Sequence, residues 1–231
     1  MIRHTQDVPG SDDIPAGISP PNPLVSGLHF RGQLPHLKTE GAVYFVTFRL
    51  AGSLPAHKIA QLKHERQVII EQARAANSPL PWHEEQQLLA WYCEQVEALL
   101  DAGHGACYLS KPEVAGLVSD ALKFFDCQRY ELRAWVVMPN HVHAVVWPMP
   151  GHTLSGILHS WKSYTSKQAN KLLHRDGETF WQKESFDHWI RDDPEHARLV
   201  TYVHNNPVKA RLCQSPADWR WSSANAPRQT L

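Results

Sequence analysis

Cysteine is scarce and scattered. The chain of 231 residues holds four, Cys93, Cys107, Cys127 and Cys213, with no C-x-x-C pair among them. That spacing excludes a zinc-ribbon or thioredoxin-like motif and predicts reduced, structural thiols, as in a cytoplasmic protein. No apolar run approaches the ~20 residues that cross a bilayer, so no membrane partner is expected. The opening MIRHTQDVPGSDDIPAG lacks the charged start and apolar stretch of a secretory signal. Net charge is missing too, because 23 Lys and Arg meet 23 Asp and Glu. A sum of zero excludes a generally basic nucleic-acid coat protein but leaves room for a local basic groove. Hydrophobic residues make up 42% and charged residues 20%, the balance of a folded globular chain rather than a disordered or fibrous one. What is plentiful is histidine, at 15, which offers metal ligands, proton carriers and phosphate contacts.

Residues 1–36 are rich in Pro, Gly and Ser, with Pro9, Pro15, Pro20, Pro21, Pro23 and Pro35 interrupting any regular ladder. They are expected to form a flexible, disordered N-terminal tail before a single domain over 37–224, with a short tail at 225–231. A strand is predicted at 42–50, where Val43, Tyr44, Phe45, Val46, Thr47 and Phe48 lie between Gly41 and Gly52. Helices follow at 57–76 and 84–101, forming an acid-rich helical insertion over about 56–104, a poor candidate for contacting phosphate. After a short apolar, strand-like piece at 106–109, Pro112 suits the first turn of a helix to about 126. Strands at 130–138 and 142–147 meet at Pro139-Asn140 as a hairpin. A helix over about 153–174 is capped by Thr153 or Ser155. A strand at 186–190 and a helix over about 194–205 follow, with Asn206-Pro207 as its stop. Trp219 and Trp221 are expected to pack back on the body. This order predicts an α+β fold, a ferredoxin-like antiparallel sheet with helices on one face.

His141-Val142-His143 opens the second hairpin strand, so both imidazoles project from one sheet face. Fifteen histidines give about one His-x-His by chance, so the pair alone carries little. The following helix adds to it. Leu154, Ile157, Leu158, Trp161 and Leu172 mark its buried stripe, and Tyr164, Gln168, Lys171 and Arg175 run at i, i+4, i+7 and i+11 along one flank. An ordinary amphipathic edge with a basic rim is the commonest origin of such a stripe. These residue types nonetheless suit phosphoryl transfer. His141 and His143, with the Gln168 side-chain oxygen as third ligand, would hold Mg²⁺ or Mn²⁺. Tyr164 would be the nucleophile, and Lys167, Lys171 and Arg175 would hold flanking phosphates. His188 is a further candidate for DNA contact, with a sheet-surface histidine as the simpler reading. Trp181 and Trp189 could stack on unpaired bases, but burial in the core is the simpler role.

MPNHVHAVVWP, SYTSKQANKLL and WQKESFDHWIRDDPEHARLVTYVHNNPVKARL together resemble the REP-associated tyrosine transposases, a branch of the HUH single-tyrosine transposase superfamily. YFVTFRLAGSLP is similar to that family's opening strand and DWRWSSA to its ending, so the resemblance runs over about 34–224. It implies His141 and His143 as metal ligands, Tyr164 as nucleophile and Gln168 as the ligand four residues past the tyrosine. It also implies a ferredoxin-like core acting on single-stranded DNA hairpins formed by repetitive palindromes, through a 5′-phosphotyrosyl intermediate. Relatives include monomers and homodimers. Two other classes remain open at this point: a non-catalytic DNA-hairpin binder, and a metal-dependent phosphodiesterase that uses water.

Overall fold

Two strands outside the main sheet come first. The computed structural model describes residues 26–31, 34–39, 41–76, 81–103 and 105–225. In it β1 (Ser26–Arg31) and β2 (Leu34–Thr39) pair antiparallel, with Ser26 opposite Thr39 and Arg31 opposite Leu34. From Ser26 onward this pair falls within the stretch expected as a tail, 1–36. Pro35 enters β2 near its start, where a missing N–H costs a strand least. Residues 1–25, on which the rest of that expectation falls, lie outside the described residues, as do 226–231.

The main sheet contains β3 (Tyr44–Arg49), β4 (Tyr130–Val137), β5 (His141–Pro148) and β6 (Phe186–Trp189). Its order is β4-β5-β3-β6, and every neighbouring pair is antiparallel. Between β3 and β4 lie α1 (Ala56–Ala75), α2 (Trp82–Asp101) and α3 (Pro112–Lys123); α4 (Leu154–Leu172) joins β5 to β6, and α5 (Asp193–Lys209) follows β6. Without α1 and α2, the order β3-α3-β4-β5-α4-β6 is the ferredoxin-like split βαβ arrangement. Local signals set several boundaries. Pro112 opens α3, the Thr153 hydroxyl accepts from the Gly156 N–H at 3.2 Å, and the Asp192 carboxylate accepts from the Glu195 N–H at 2.7 Å.

Period-two alternation sorts the strands onto two faces. Tyr44, Val46 and Phe48 of β3 join Val142, Ala144 and Val146 of β5 beneath α3 and α4, where Val114, Val118, Leu122, Ile157 and Trp161 complete a core. Phe48 stacks on Trp161 at 6.3 Å and meets Trp181 edge-on at 4.9 Å. The other face carries Phe45, Val136 and Val145 against Val203 of α5. Helices on one face thus describes α3 and α4, and α5 extends the cover to the second face.

Two smaller expectations change. The apolar piece at 106–109 is not extended: Tyr108–Ser110 forms a 3₁₀ turn, with the Leu109 N–H donating to the Pro139 carbonyl at 3.1 Å. Asn206-Pro207 does not stop the last helix. Pro207 sits inside the final turn of α5, where it forfeits only the bond its own nitrogen would have donated.

Candidate metal centre

His141 and His143 lie on the central strand β5, facing α2 and α5, and neither side chain is exposed. Their Nε2 atoms are 3.0 Å apart. What faces the opposite nitrogens decides what these two atoms are. The Asn140 side-chain N–H donates to the Leu100 carbonyl at 3.0 Å, which orients the amide so that its oxygen meets His141 Nδ1 at 2.6 Å. An amide oxygen only accepts, so Nδ1 bears the proton and Nε2 a lone pair. Thr47 does the same for His143. Its hydroxyl donates to Glu97 Oε1 at 3.4 Å and accepts from His143 Nδ1 at 2.8 Å. Glu97 Oε2, from α2, completes the group at 3.2 Å from His143 Nε2.

Two imidazole lone pairs and a carboxylate oxygen therefore converge, with all three ligand atoms within 4.8 Å of one another. Such a group repels itself unless a cation lies between its members. Two donors about 2.1 Å from a shared ion and at right angles to each other lie about 3.0 Å apart, so the observed spacings fit a divalent metal. A histidine ligand must also be neutral. Burial, then the neighbouring charge of His143, pushes His141 down to about 3. Burial opposes ionisation of Glu97, but in the metal-free group, with a proton on the His143 Nε2, the charge and hydrogen bond of that ring, the charge of His141 and the Tyr202 hydroxyl outweigh it and hold the carboxyl at about 2.

Tyr202, which the sequence reading passed over, completes the group. Its hydroxyl donates to Glu97 Oε2 at 2.9 Å, and its ring meets His143 edge-on with centroids 5.5 Å apart. Burial, followed by the Glu97 charge, raises the phenol far above its usual range. One turn further along α5 the Asn206 amide is buried beside the Tyr202 hydroxyl, and it makes no well-formed hydrogen bond with the protein.

The predicted nucleophile and third ligand lie elsewhere. Tyr164 and Gln168 belong to α4, whose buried side packs on the sheet face opposite the imidazoles, and Tyr164 is 53% exposed. The structure groups His141 and His143 with Glu97, Tyr202 and Asn206. Lys167 and Lys171 are exposed on α4. Arg175 is not part of the helical stripe, because α4 ends at Leu172 and His174 turns the chain with φ 54°. Its guanidinium pairs with Glu178 and lies over the Tyr108 ring at 4.3 Å. His188 on β6 is held 3.0 Å from Glu195.

The missed residues carried faint signals. Glu97 interrupts the apolar series Val96, Leu99 and Leu100, and an acid on a buried helix side breaks the ordinary sorting of residues. Tyr202 and Asn206 repeat the tyrosine-to-amide spacing of Tyr164 and Gln168.

Residues 113–206 match the family model described as Transposase IS200 like, so the resemblance read from the sequence is borne out. The matched segment runs from the start of α3 to Asn206. A REP-associated tyrosine transposase of Escherichia coli is 28% identical over 95 residues, 41% of this chain and 54% of that protein. A Haemophilus influenzae protein, named as a candidate of the same kind, is 26% identical over 111 residues, 42% of this chain and 61% of its own length. The chain thus spans between about half and three-fifths of these relatives. A solved REP-associated tyrosine transposase bound to a REP hairpin is similar at 16% identity and a TM-score of 0.46, covering 85% of this chain and 82% of that one.

Proposed function

We propose, with its likeness to the IS200-like transposases as the premise, that this chain is a divalent-metal-dependent nuclease and strand transferase for single-stranded DNA, with Tyr202 as nucleophile. The hydrogen bond from Tyr202 to Glu97, inside the histidine cluster, carries the reading. His141, His143 and Glu97 would hold the ion, with the buried Asn206 amide beside Tyr202 as a further polar group. Two imidazoles with a carboxylate suit Mn²⁺ at least as well as Mg²⁺. When bound, the ion polarises a phosphodiester oxygen.

The chain's own residues supply the rest. The Tyr202 hydroxyl oxygen attacks phosphorus, and its proton passes to the Glu97 carboxylate that already accepts its hydrogen bond. A phosphorus–phenol bond forms as the bond to the 3′-oxygen breaks. The 3′-oxygen leaves and takes up a proton, giving a 5′-phosphotyrosyl link and a free 3′-hydroxyl. A 3′-hydroxyl attacking that link reverses these bond changes and joins strands. The names of the relatives suggest hairpins of repetitive palindromic DNA as substrate; a cytoplasmic monomer or homodimer is the form expected from the sequence. Among the described residues no helix is long and apolar enough to cross a membrane.

Incubation with Mn²⁺ or Mg²⁺ and single-stranded palindromic DNA is expected to give a protein–DNA adduct that survives denaturing electrophoresis. Tyr202→Phe abolishes the adduct and Tyr164→Phe retains it. The reverse pattern returns the nucleophile to α4. Free 5′-phosphate ends without an adduct select attack by water, and metal-independent hairpin binding without cleavage selects a binding protein.

A further inference from the structure

Beside the metal cluster a cleft opens between β3, α1, α2 and the segment leading into β6. It is lined by Thr47, Arg49, Lys63, Tyr92, Glu97 and Gln182 among others, so Thr47 and Glu97 are shared with the cluster. Arg49 is directly opposite His141 in the β3–β5 ladder, and directly opposed residues project to the same side of a sheet. Its side chain therefore leaves the sheet on the same face as the imidazoles and lines the cleft that Glu97 and Thr47 also line.

The cleft is built around that guanidinium. Its hydrogen bond goes to the neutral Ser53 hydroxyl at 3.2 Å. The Arg49 carbonyl accepts from the Gln182 N–H at 2.8 Å, which ties the wall segment to β3. Lys162 of α4 fastens the same segment by donating to the Gln182 carbonyl at 2.7 Å, the Lys183 carbonyl at 2.9 Å and the Ser185 hydroxyl at 3.1 Å. Burial, and then the Arg49 charge, lowers Lys162 to about 8. Two cations are thus held close together, and Lys63 adds a third at the exposed mouth. Glu184, also on the cleft, is the opposing charge. A partly desolvated guanidinium whose hydrogen bond goes to a neutral hydroxyl gains most from an anion with two oxygens, because its fork matches such a group.

We infer that Arg49, with Lys63 at the mouth, forms a phosphate subsite that holds the phosphodiester neighbouring the one cleaved at the metal cluster. The inference rests on the proposed action on DNA and adds the chain's own grip on the strand. Cleft and cluster share a wall, so one strand can lie across both, with one phosphate at the ion and the next at the guanidinium. The insertion helices contribute to this subsite through Lys63 and Tyr92, which gives the acid-rich stretch a part in binding.

The test is binding of a fluorescein-labelled single-stranded oligonucleotide of about 20 nucleotides, followed by anisotropy from about 50 to 200 mM salt. Arg49→Gln is expected to weaken binding about threefold to tenfold and to reduce the slope of log affinity against log salt by about 0.7, one phosphate's share. Mn²⁺ affinity without DNA, measured by calorimetry, stays near the wild-type value, which a collapsed site would not allow. Arg49→Lys recovers part of the affinity, and Lys63→Gln, on an exposed side chain, lowers the slope independently of folding. Wild-type affinity and slope in both Arg49→Gln and Lys63→Gln overturn the subsite, as does parallel loss of Mn²⁺ binding in Arg49→Gln. If Arg49→Gln does not fold, Arg49→Lys and Lys63→Gln decide. DNA binding that depends on Arg49 in a protein that forms no adduct sinks the cleavage reading and leaves the subsite standing. Adduct formation with an unchanged salt slope does the opposite.

Discussion

Thr47 decides what His143 can do. Its hydroxyl, committed to Glu97, holds the ring proton on Nδ1 and leaves Nε2 free as a ligand. Thr47→Val keeps the shape and removes that constraint, and partners of this kind are worth about 10- to 100-fold in metal affinity. We expect Mn²⁺ affinity to fall by about tenfold on calorimetric titration, with little change in melting temperature. Unchanged affinity would show that the ring keeps its tautomer by other means. The same residues make the metal-free protein acid-sensitive. His141 titrates at about 3 in the fold against an ordinary 6.5. The unfolded chain therefore binds a proton that the folded chain refuses, and stability falls as pH drops through that window. Glu97, held at about 2 against an ordinary 4.5, adds stability above 4.5 that fades as pH falls toward 2. Melting temperature of the metal-free protein should decline from about pH 6.5 downward, and His141→Asn should flatten the upper part of that decline.

Among the elements, α2 shows most clearly what a linear reading captures and what it loses. Its extent follows from pattern, as do α3, α4 and the hairpin strands, because Pro112, Thr153 and the alternation through Val142–Trp147 act locally. Which face a helix covers is a property of the assembled sheet. Tyr164 with Gln168 and Tyr202 with Asn206 show the same i, i+4 spacing, and no local signal separates the two pairs. The strand order, which sends α4 to one face and α5 to the other, separates them. Glu97 was hidden for the same reason, since its acid-rich surroundings suggest a solvated surface until α2 docks. Docking rests on Leu100, which is 2% exposed, and on Asp101, which pairs with Lys209 of α5 at 2.7 Å. Leu100→Ala should cost about 2–4 kcal/mol by leaving a cavity and should weaken Mn²⁺ binding without touching a ligand. A loss of stability with full metal affinity would show that Glu97 is seated independently of the rest of α2.

At the scale of the whole molecule, the zero net charge conceals an uneven distribution, with acids in excess on the insertion helices and Lys162, Lys167 and Lys171 on α4, which carries no acid. The sheet has β4 at one edge and β6 at the other. An unpaired edge exposes a row of backbone donors and acceptors that invites association. Part of the β4 edge is closed by the segment after α5. The Val137 N–H donates to the Trp221 carbonyl at 2.8 Å, the Trp219 indole donates to the Val137 carbonyl at 3.0 Å, and Ser222 bridges to Val136. The Ser223 hydroxyl accepts from the Trp135 N–H at 3.0 Å and lies 2.9 Å from His204 Nε2, so the segment also ties β4 to α5. The sequence places Trp219 and Trp221 against the body on aromatic content alone, but the strand-like pairing depends on which strand forms the edge. Because α5 carries Tyr202, this closure reaches the proposed chemistry. A chain ending at Asp218 loses two packed tryptophans, at about 1.5–3 kcal/mol each. Its melting temperature should drop by about 6–12 °C or more, hydrogen exchange should rise in β4 and α5 together, and adduct formation should fall with them. Faster exchange confined to β4, with the adduct intact, would mean that α5 holds its place without the closing segment.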